Sequence, residues 1–414
     1  MEVPPTAGLS LGWRDLWPRG SPLLEERAAD FLGLPQAQVE CSGTACLIVA
    51  LTTLKAMSPR RTVIIPAFTC PLVPLAVAHC GLRAQLCDLA EDHFDMDHRM
   101  LAKLCNEDTL AVVPTHLAGR VAKVVGARTL ARAAGAWVIE DAAQALGARR
   151  DGERVGTLAD IGFFSLAVGK GLTTYEGGIL CSSDPSLRQA MRRTSERMIH
   201  PNGPLELWRA LQLLGYSACY RPRWLRLVYG APLRRALLRG RMVEAAGDLA
   251  GLTIPLHRLG RWRGSVGALA FARLAGFQAV LAMLARSRVA RLERIGGLKV
   301  FGDSHGVRGA WPCLLILMPS EAAREAALAQ LWSAGVGVSR LFVHALPDYA
   351  FLAPVVPPAQ AEWAIQARSF AARTLTLSNS PWLSDAQFEL VARVLDRAVG
   401  SSSGMHAASC SSSR

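Results

Sequence analysis

The chain has 414 residues, 51% of them apolar and 19% charged, which are the proportions of an ordinary globular protein and exclude a disordered or collagen-like one. Length alone predicts two or three domains, or a large α/β domain with a smaller companion. The net charge of +13 is concentrated in residues 185–265, which carry fifteen Arg, no Lys and four acids (Glu196, Glu206, Glu244, Asp248); a uniformly basic nucleic-acid binder is thereby excluded, and no zinc-finger, helix-turn-helix or RNA-recognition pattern accompanies the cluster.

The first residues, MEVPPTAGLSLGWRDLW, lack the basic and apolar regions of a signal peptide. No window reaches the roughly 18 apolar residues of a spanning helix, so a cytoplasmic protein is expected. The ten cysteines are scattered, mostly in apolar segments, and predict neither a disulfide framework nor a metal site.

Val39 to Cys41 reads as a short strand, followed by a buried helix over 43–57, GTACLIVALTTLKAM. RTVIIP, LRAQLCDL, DTLAVVPTH and AWVIED then read as strands, with a helix in AKVVGARTLARAAG before the last of them. This alternation predicts a mainly parallel sheet whose ligands gather at the carboxyl ends of its strands. DIGFFSL and GGILCSS are two further strands, flanking one of only five Lys residues, Lys170. From about residue 300, WPCLLILM, EAAREAALAQLWSAG, VGVSRLFV and SDAQFELVARVLDRA predict a smaller α+β domain. The final GSSSGMHAASCSSSR has no buried pattern and is expected to be disordered.

Three segments carry candidate chemistry: Cys41-Ser-Gly-Thr-Ala45 at a helix start, Val138-Ile-Glu-Asp-Ala-Ala-Gln144 at a strand end, and Ser165-Leu-Ala-Val-Gly-Lys170 followed by Tyr175-Glu-Gly-Gly178. Taken singly, each also fits an unremarkable role: a helix cap, a solvent-facing acid, a surface lysine. Together they supply an anion cradle, an acid for a protonated ring nitrogen and a lysine for a Schiff base, the parts that hold pyridoxal phosphate.

In order and spacing these segments resemble the DegT/StrS-type sugar aminotransferases, within fold-type I. The resemblance runs over IEDAAQALGA (139–148), GTLADIGFFSLAVGKGLTTYEGGIL (156–180), PAFT (66–69), PTHLAGR (114–120) and ARTLTLSNSPWLSDAQFELVARVL (372–395), and covers roughly 20–180 and 265–398. It implies that Lys170 is the Schiff-base lysine and proton carrier and that Asp141 pairs with the pyridinium. It further implies that Gly43, Thr44 and Ser165 bind the phosphate and that Gln144 lies near the ring hydroxyl. Dehydratase relatives carry His at the lysine position, so Lys170 implies transamination. Three positions depart from the family pattern. Cys70 follows PAFT where an aromatic often stacks on the ring, with Phe68 as its candidate replacement. Ala167 stands for a His, and Phe271 falls where an Asn commonly reaches the neighbouring subunit's phosphate, whereas Arg273 is retained.

The expected architecture is a fold-type I α/β large domain with a mainly parallel central sheet and a smaller C-terminal α+β domain. Its segments are an N-terminal extension (1–22), the cofactor domain (23–184), an Arg-rich amphipathic insertion (185–265), a helical connection (266–299), the small domain (300–399) and a tail (400–414). The implied activity moves an amino group from an amino acid, glutamate foremost, to a nucleotide-linked keto-sugar in a homodimer. A keto-cyclitol or lipid-linked acceptor is one alternative, and a non-catalytic cofactor-binding protein another. Residues 205–242 interleave Trp208, Tyr216, Tyr220, Trp224 and Tyr229 with Arg. They fit a helical hairpin packed on its own dimer, a peripheral membrane surface, or a site for an acidic partner or a nucleotide phosphate.

Overall fold

The computed structural model describes residues 1–18, 23–248 and 254–411, with side chains to residue 400. Seven strands form the central sheet: β1 Gln38–Glu40, β2 Thr62–Pro66, β3 Arg83–Cys87, β4 Thr109–Val112, β5 Trp137–Asp141, β6 Ile161–Ser165 and β7 Gly178–Cys181. Their order is β1-β7-β6-β5-β4-β2-β3. Only β7 runs against the rest. Every residue of β4, β6 and β7 is buried, as expected of strands covered on both faces by crossover helices. The chain runs from β2 outward to β3 and returns to the other side of β2 as β4. That reversal opens a crevice at the carboxyl ends of the strands, where ligands bind in doubly wound sheets.

The helix Gly43–Met57 follows β1 and is apolar on nearly all sides, with ten of its fifteen residues buried, so it lies inside the domain. Ser42 caps it: its Oγ accepts from the Ala45 N–H at 3.0 Å. A second sheet of four antiparallel strands, Lys299–Val300, Cys313–Leu317, Thr374–Ser378 and Val338–Ser339 in spatial order, packs against Glu321–Leu331 and Asp385–Ser411 around a core of its own. The last helix continues through Ser411, into the segment expected to lack structure; residues 412–414 lie outside the described residues. The strand expected over VGVSRLFV is confined to Val338–Ser339, because the chain turns away after Ser339 to line a cavity.

Residues 203–238 form a helix pair. Gly203–Cys219 is followed, after a break at Tyr220–Arg221, by Pro222–Leu225, a π-helical turn Arg226–Gly230 and Ala231–Leu238. Pro232 explains the wide turn: it has no N–H to give the Val228 carbonyl and its ring crowds that oxygen. The preceding amide, Ala231 N–H, instead reaches five residues back to the Arg226 carbonyl. The N-terminal residues thread between the domains, Val3 N–H donating to the Gly335 carbonyl at 2.9 Å, Ala7 N–H to Pro312 at 2.7 Å and Leu9 N–H to Gly171 at 2.6 Å.

Candidate active site

At the head of Gly43–Met57 the first-turn amides have no carbonyl to bond within the helix. The Ser42 cap satisfies that of Ala45, and Gly43 and Thr44 line the inner cavity at the positive end of the helix dipole. Gly43 abuts the end of β6 so closely that a Cβ there would stand 3.0 Å from the Cβ of Ser165 and 3.3 Å from its Cα. Glycine keeps this cradle open. Ser165 closes it from the other side.

Asp141 ends β5 and is 3% exposed. Its Oδ1 accepts from the Ala143 N–H at 3.1 Å. Burial drives its carboxyl up to about 6, against the opposing pull of the Ala143 N–H, His116, Lys170 and Thr115. An acid so placed gains from a cationic hydrogen-bond donor.

Lys170 lies in the turn after β6, flanked by Gly169 at φ 83° and Gly171 at φ 90°, a backbone shape that favours glycine on both sides. Its N–H donates to the Ala167 carbonyl at 3.2 Å. The N-terminal strap supports the turn, through the Leu9 bond to Gly171 and through Thr6, whose Oγ1 would lie 2.6 Å from a Cβ on Gly169.

Gly43, Thr44, Asp141, Gln144, Ser165 and Lys170 all line one cavity of about 160 Å³. Separate pieces of chain bring them there, so the arrangement is made by the sheet topology and not by local sequence. Gln144 also braces the wall, its Oε1 accepting from the Ala118 N–H at 2.8 Å. A larger cavity of about 490 Å³ shares Lys170, Gln144 and Cys70 with it and opens outward beneath the Arg-rich helices.

His116 was not singled out by the sequence, yet it lines the inner cavity. Its Nδ1 accepts from the Ala122 N–H at 2.9 Å, which places the ring proton on Nε2, 2.9 Å from Glu140 Oε1. The second oxygen of Glu140 accepts from Leu158 N–H at 3.0 Å, and His116 N–H donates to the Asp141 carbonyl at 3.0 Å, so the buried pair is held next to Asp141. Its available signal was position: PTH directly follows the apolar run of β4. Asp248, in the sequence only one of few acids in the basic stretch, lines the outer cavity. Its Oδ2 accepts from Tyr349 Oη–H at 2.6 Å and Val343 N–H at 2.7 Å, and burial raises its carboxyl.

The departures resolve individually. Phe68 is 1% exposed and packs edge-on against Phe342 and Phe370, each at 5.4 Å. It is therefore core, and Phe342, with Cys70, lines the inner cavity instead. Burial pushes the Cys70 thiol up to about 11, leaving it neutral near pH 7. Ala167 lines the cavity without a polar group. Phe271 packs edge-on against Phe31 at 5.1 Å in the core, and Arg273 pairs with Asp15.

These features fit pyridoxal phosphate. The Gly43–Ser165 cradle with its free amides suits a phosphate, buried Asp141 suits a protonated ring nitrogen, and Lys170 lines the same cavity.

Residues 12–218 match the model of the DegT/DnrJ/EryC1/StrS aminotransferase family. The chain is 33% identical to GDP-perosamine synthase of Caulobacter vibrioides over 43% of its own length and 48% of that protein's. It is 30% identical to L-glutamine:2-deoxy-scyllo-inosose aminotransferase of Streptomyces kanamyceticus over 47% of its length and 46% of that protein's. The matched segment thus spans about half of each relative. Among solved structures, a candidate sugar aminotransferase from Streptococcus pneumoniae in its PLP form superposes with a TM-score of 0.71 at 18% identity, over 97% of this chain and 99% of that one, a likeness of fold. With half its residues matched by the family model, the chain belongs to the DegT/DnrJ/EryC1/StrS aminotransferase family.

Proposed function

We propose that the protein is a pyridoxal phosphate-dependent aminotransferase that moves an amino group from an amino acid, glutamate foremost, to the ketone of a nucleotide-linked sugar. The observation that supports this most directly is the convergence of Gly43, Thr44, Asp141, Gln144, Ser165 and Lys170 on one cavity. Bound there, the cofactor would supply an aldehyde for exchange with amines and a ring that withdraws electrons from the reacting carbon.

Each residue then has a physical task. The Gly43 and Thr44 amides and the Ser165 hydroxyl anchor the phosphate by hydrogen bonds to an anion. Asp141 keeps a ring N–H⁺ protonated, since its burial makes separation of that pair costly. Lys170 would hold the cofactor through its aldehyde, and its amine, when free, would move a proton at the reacting carbon. Gln144 would contact the ring hydroxyl region. His116 and Glu140 hold the wall next to Asp141.

The chain is proposed to act as a homodimer in the cytoplasm, with residues 205–242 in peripheral contact with a membrane. No single helix among the described residues is long and apolar enough to cross one. The similarity to a cyclitol aminotransferase favours a second reading of the acceptor, a keto-cyclitol in place of a keto-sugar. Mixing the cofactor-loaded protein with L-glutamate and following the cofactor absorbance tests the donor half. Mass spectrometry of keto-sugar and keto-cyclitol acceptors then tests the other. No spectral change with any amino acid would sink the enzymatic reading and leave a cofactor-binding protein without turnover.

A further inference from the structure

The family match stops at residue 218, inside the helix Gly203–Cys219, and this helix and its successor present an unusual surface. The inner side of Gly203–Cys219 is well used: Leu213 is fully buried, and Tyr216 stacks on Tyr220 at 4.7 Å, whose hydroxyl accepts from Gly8 N–H at 3.0 Å. The outer side carries Leu207, Trp208, Leu211 and Leu214, all exposed. A helix apolar on both sides normally has cover on both. The second limb repeats the pattern, with Trp224, Leu227 and Val228 exposed at 55%, 60% and 53% and Leu238 at 90%.

Charge decides what covers this face. Residues 207–243 contain eight Arg and no acid. Arg209, Arg234 and Arg241 pair with Glu176, Glu2 and Glu244. The other five, Arg221, Arg223, Arg226, Arg235 and Arg239, are exposed and have no carboxylate partner among the described residues. A second copy docked by the same face would set these five against five, because a two-fold interface meets itself. An anionic lipid surface meets both features at once, taking the indoles and leucines into the interface and the guanidinium groups onto phosphates.

The same segment roofs the outer cavity. Val228, Tyr229, Leu233, Ala236 and Ala245 line it together with Lys170, so Val228 belongs both to the wall of the cavity and to the exposed face.

We propose that residues 203–246 seat the protein on an anionic bilayer and that the acceptor reaching Lys170 is an amphiphile, a keto-sugar on a lipid phosphate, whose tail passes along this apolar roof. This rests on the aminotransfer reading and puts a lipid carrier in place of the nucleotide on its acceptor.

The test uses the cofactor-loaded protein, its Leu227→Glu and Val228→Glu variants, and vesicles of phosphatidylcholine with or without phosphatidylglycerol. The intact protein should float only with phosphatidylglycerol vesicles, weakening as salt rises without releasing fully, because salt screens the Arg and not the apolar insertion. Both variants should lose flotation. Dodecyl phosphate, offered without vesicles as a soluble single-chain probe, should bind intact protein and Leu227→Glu alike, and Val228→Glu about tenfold more weakly, since only that position puts a charge against the tail. Both positions are more than half exposed, so unchanged thermal midpoints are expected; should Val228→Glu unfold, Val228→Ser serves in its place. No flotation by the intact protein overturns the proposal. So does equal probe binding by all variants, or a dimer that dissociates on Leu227→Glu without flotation. The glutamate half-reaction needs neither lipid nor acceptor, so its failure in the intact protein would strike the aminotransfer reading alone.

Discussion

Arg263 lies wholly buried with both oxygens of Glu206 on its guanidinium, at 2.5 and 2.7 Å, and its Nη1 also reaches the carbonyls of Thr174 and Glu176 at 3.1 and 2.6 Å. One side chain thus ties the Arg-rich helices to the turn that follows Lys170. Glu206→Gln leaves a buried guanidinium without its counter-charge. It should cost about 2–4 kcal/mol in urea unfolding, toward the lower end because Glu206 is partly exposed. The Lys170 turn should loosen too, and cofactor affinity should fall. A variant as stable as the parent would show that the pair is not the tie.

Lys170→Ala should abolish both amino transfer and the borohydride-reducible link between protein and cofactor. Peptide mapping after reduction gives the answer, and a labelled peptide containing Lys55, Lys103, Lys123 or Lys299 would reassign the role.

Asp141→Asn should keep the fold and slow amino transfer about a hundred- to a thousandfold, since a neutral amide cannot hold the ring proton. Without cofactor the same residue predicts a pH effect. Its carboxyl is raised in the folded chain from an ordinary 3.8 to about 6, so the neutral buried acid contributes stability that is full below the unfolded value and lost as pH rises through about 6. Relative to Asp141→Asn, the cofactor-free parent should lose about 2–3 kcal/mol between pH 4 and pH 7. Parallel urea curves for the two proteins across that range would refute this.

Gly43→Ala places a methyl 3.0 Å from the Ser165 Cβ. Alanine's helix preference, up to about 1 kcal/mol, offsets part of the crowding against Ser165, so the cofactor-free protein should lose only modest stability. Phosphate room is what suffers. Equilibrium titration should show cofactor binding weakened about tenfold, and undiminished affinity would argue that the phosphate lies elsewhere.

Much of this site was legible in the sequence because its chemistry sits in short contiguous motifs whose spacing survives folding. Gly43 and Thr44 open a helix predicted over the residues that form it, and Asp141 and Ser165 end strands whose apolar runs are plain. The parts that could not be read arrive through tertiary structure. Phe342 comes from a turn of the small domain, Thr6 from the N-terminal strap, and His116 is fixed by a carboxylate distant from it in sequence. Phe68 shows the complementary failure: residue type suited it to a ring face, and the path of the chain after β2 turned it into the core. The helices of residues 203–238 were foreseeable, but their exposure was not, since an Arg-rich apolar sequence reads alike whether its leucines face inward or out.

The strap that joins Val3 to Gly335, Ala7 to Pro312 and Leu9 to Gly171 sets an order of assembly. Two of its three partners, Pro312 and Gly335, lie some three hundred residues further along the chain, so the strap stays incomplete until the small domain has been synthesised. The Leu9–Gly171 bond, which supports the Lys170 turn, can form before that, but the strap that carries it is fully anchored only once Pro312 and Gly335 are in place. A chain without its small domain would build the central sheet and leave the support of the lysine turn half anchored.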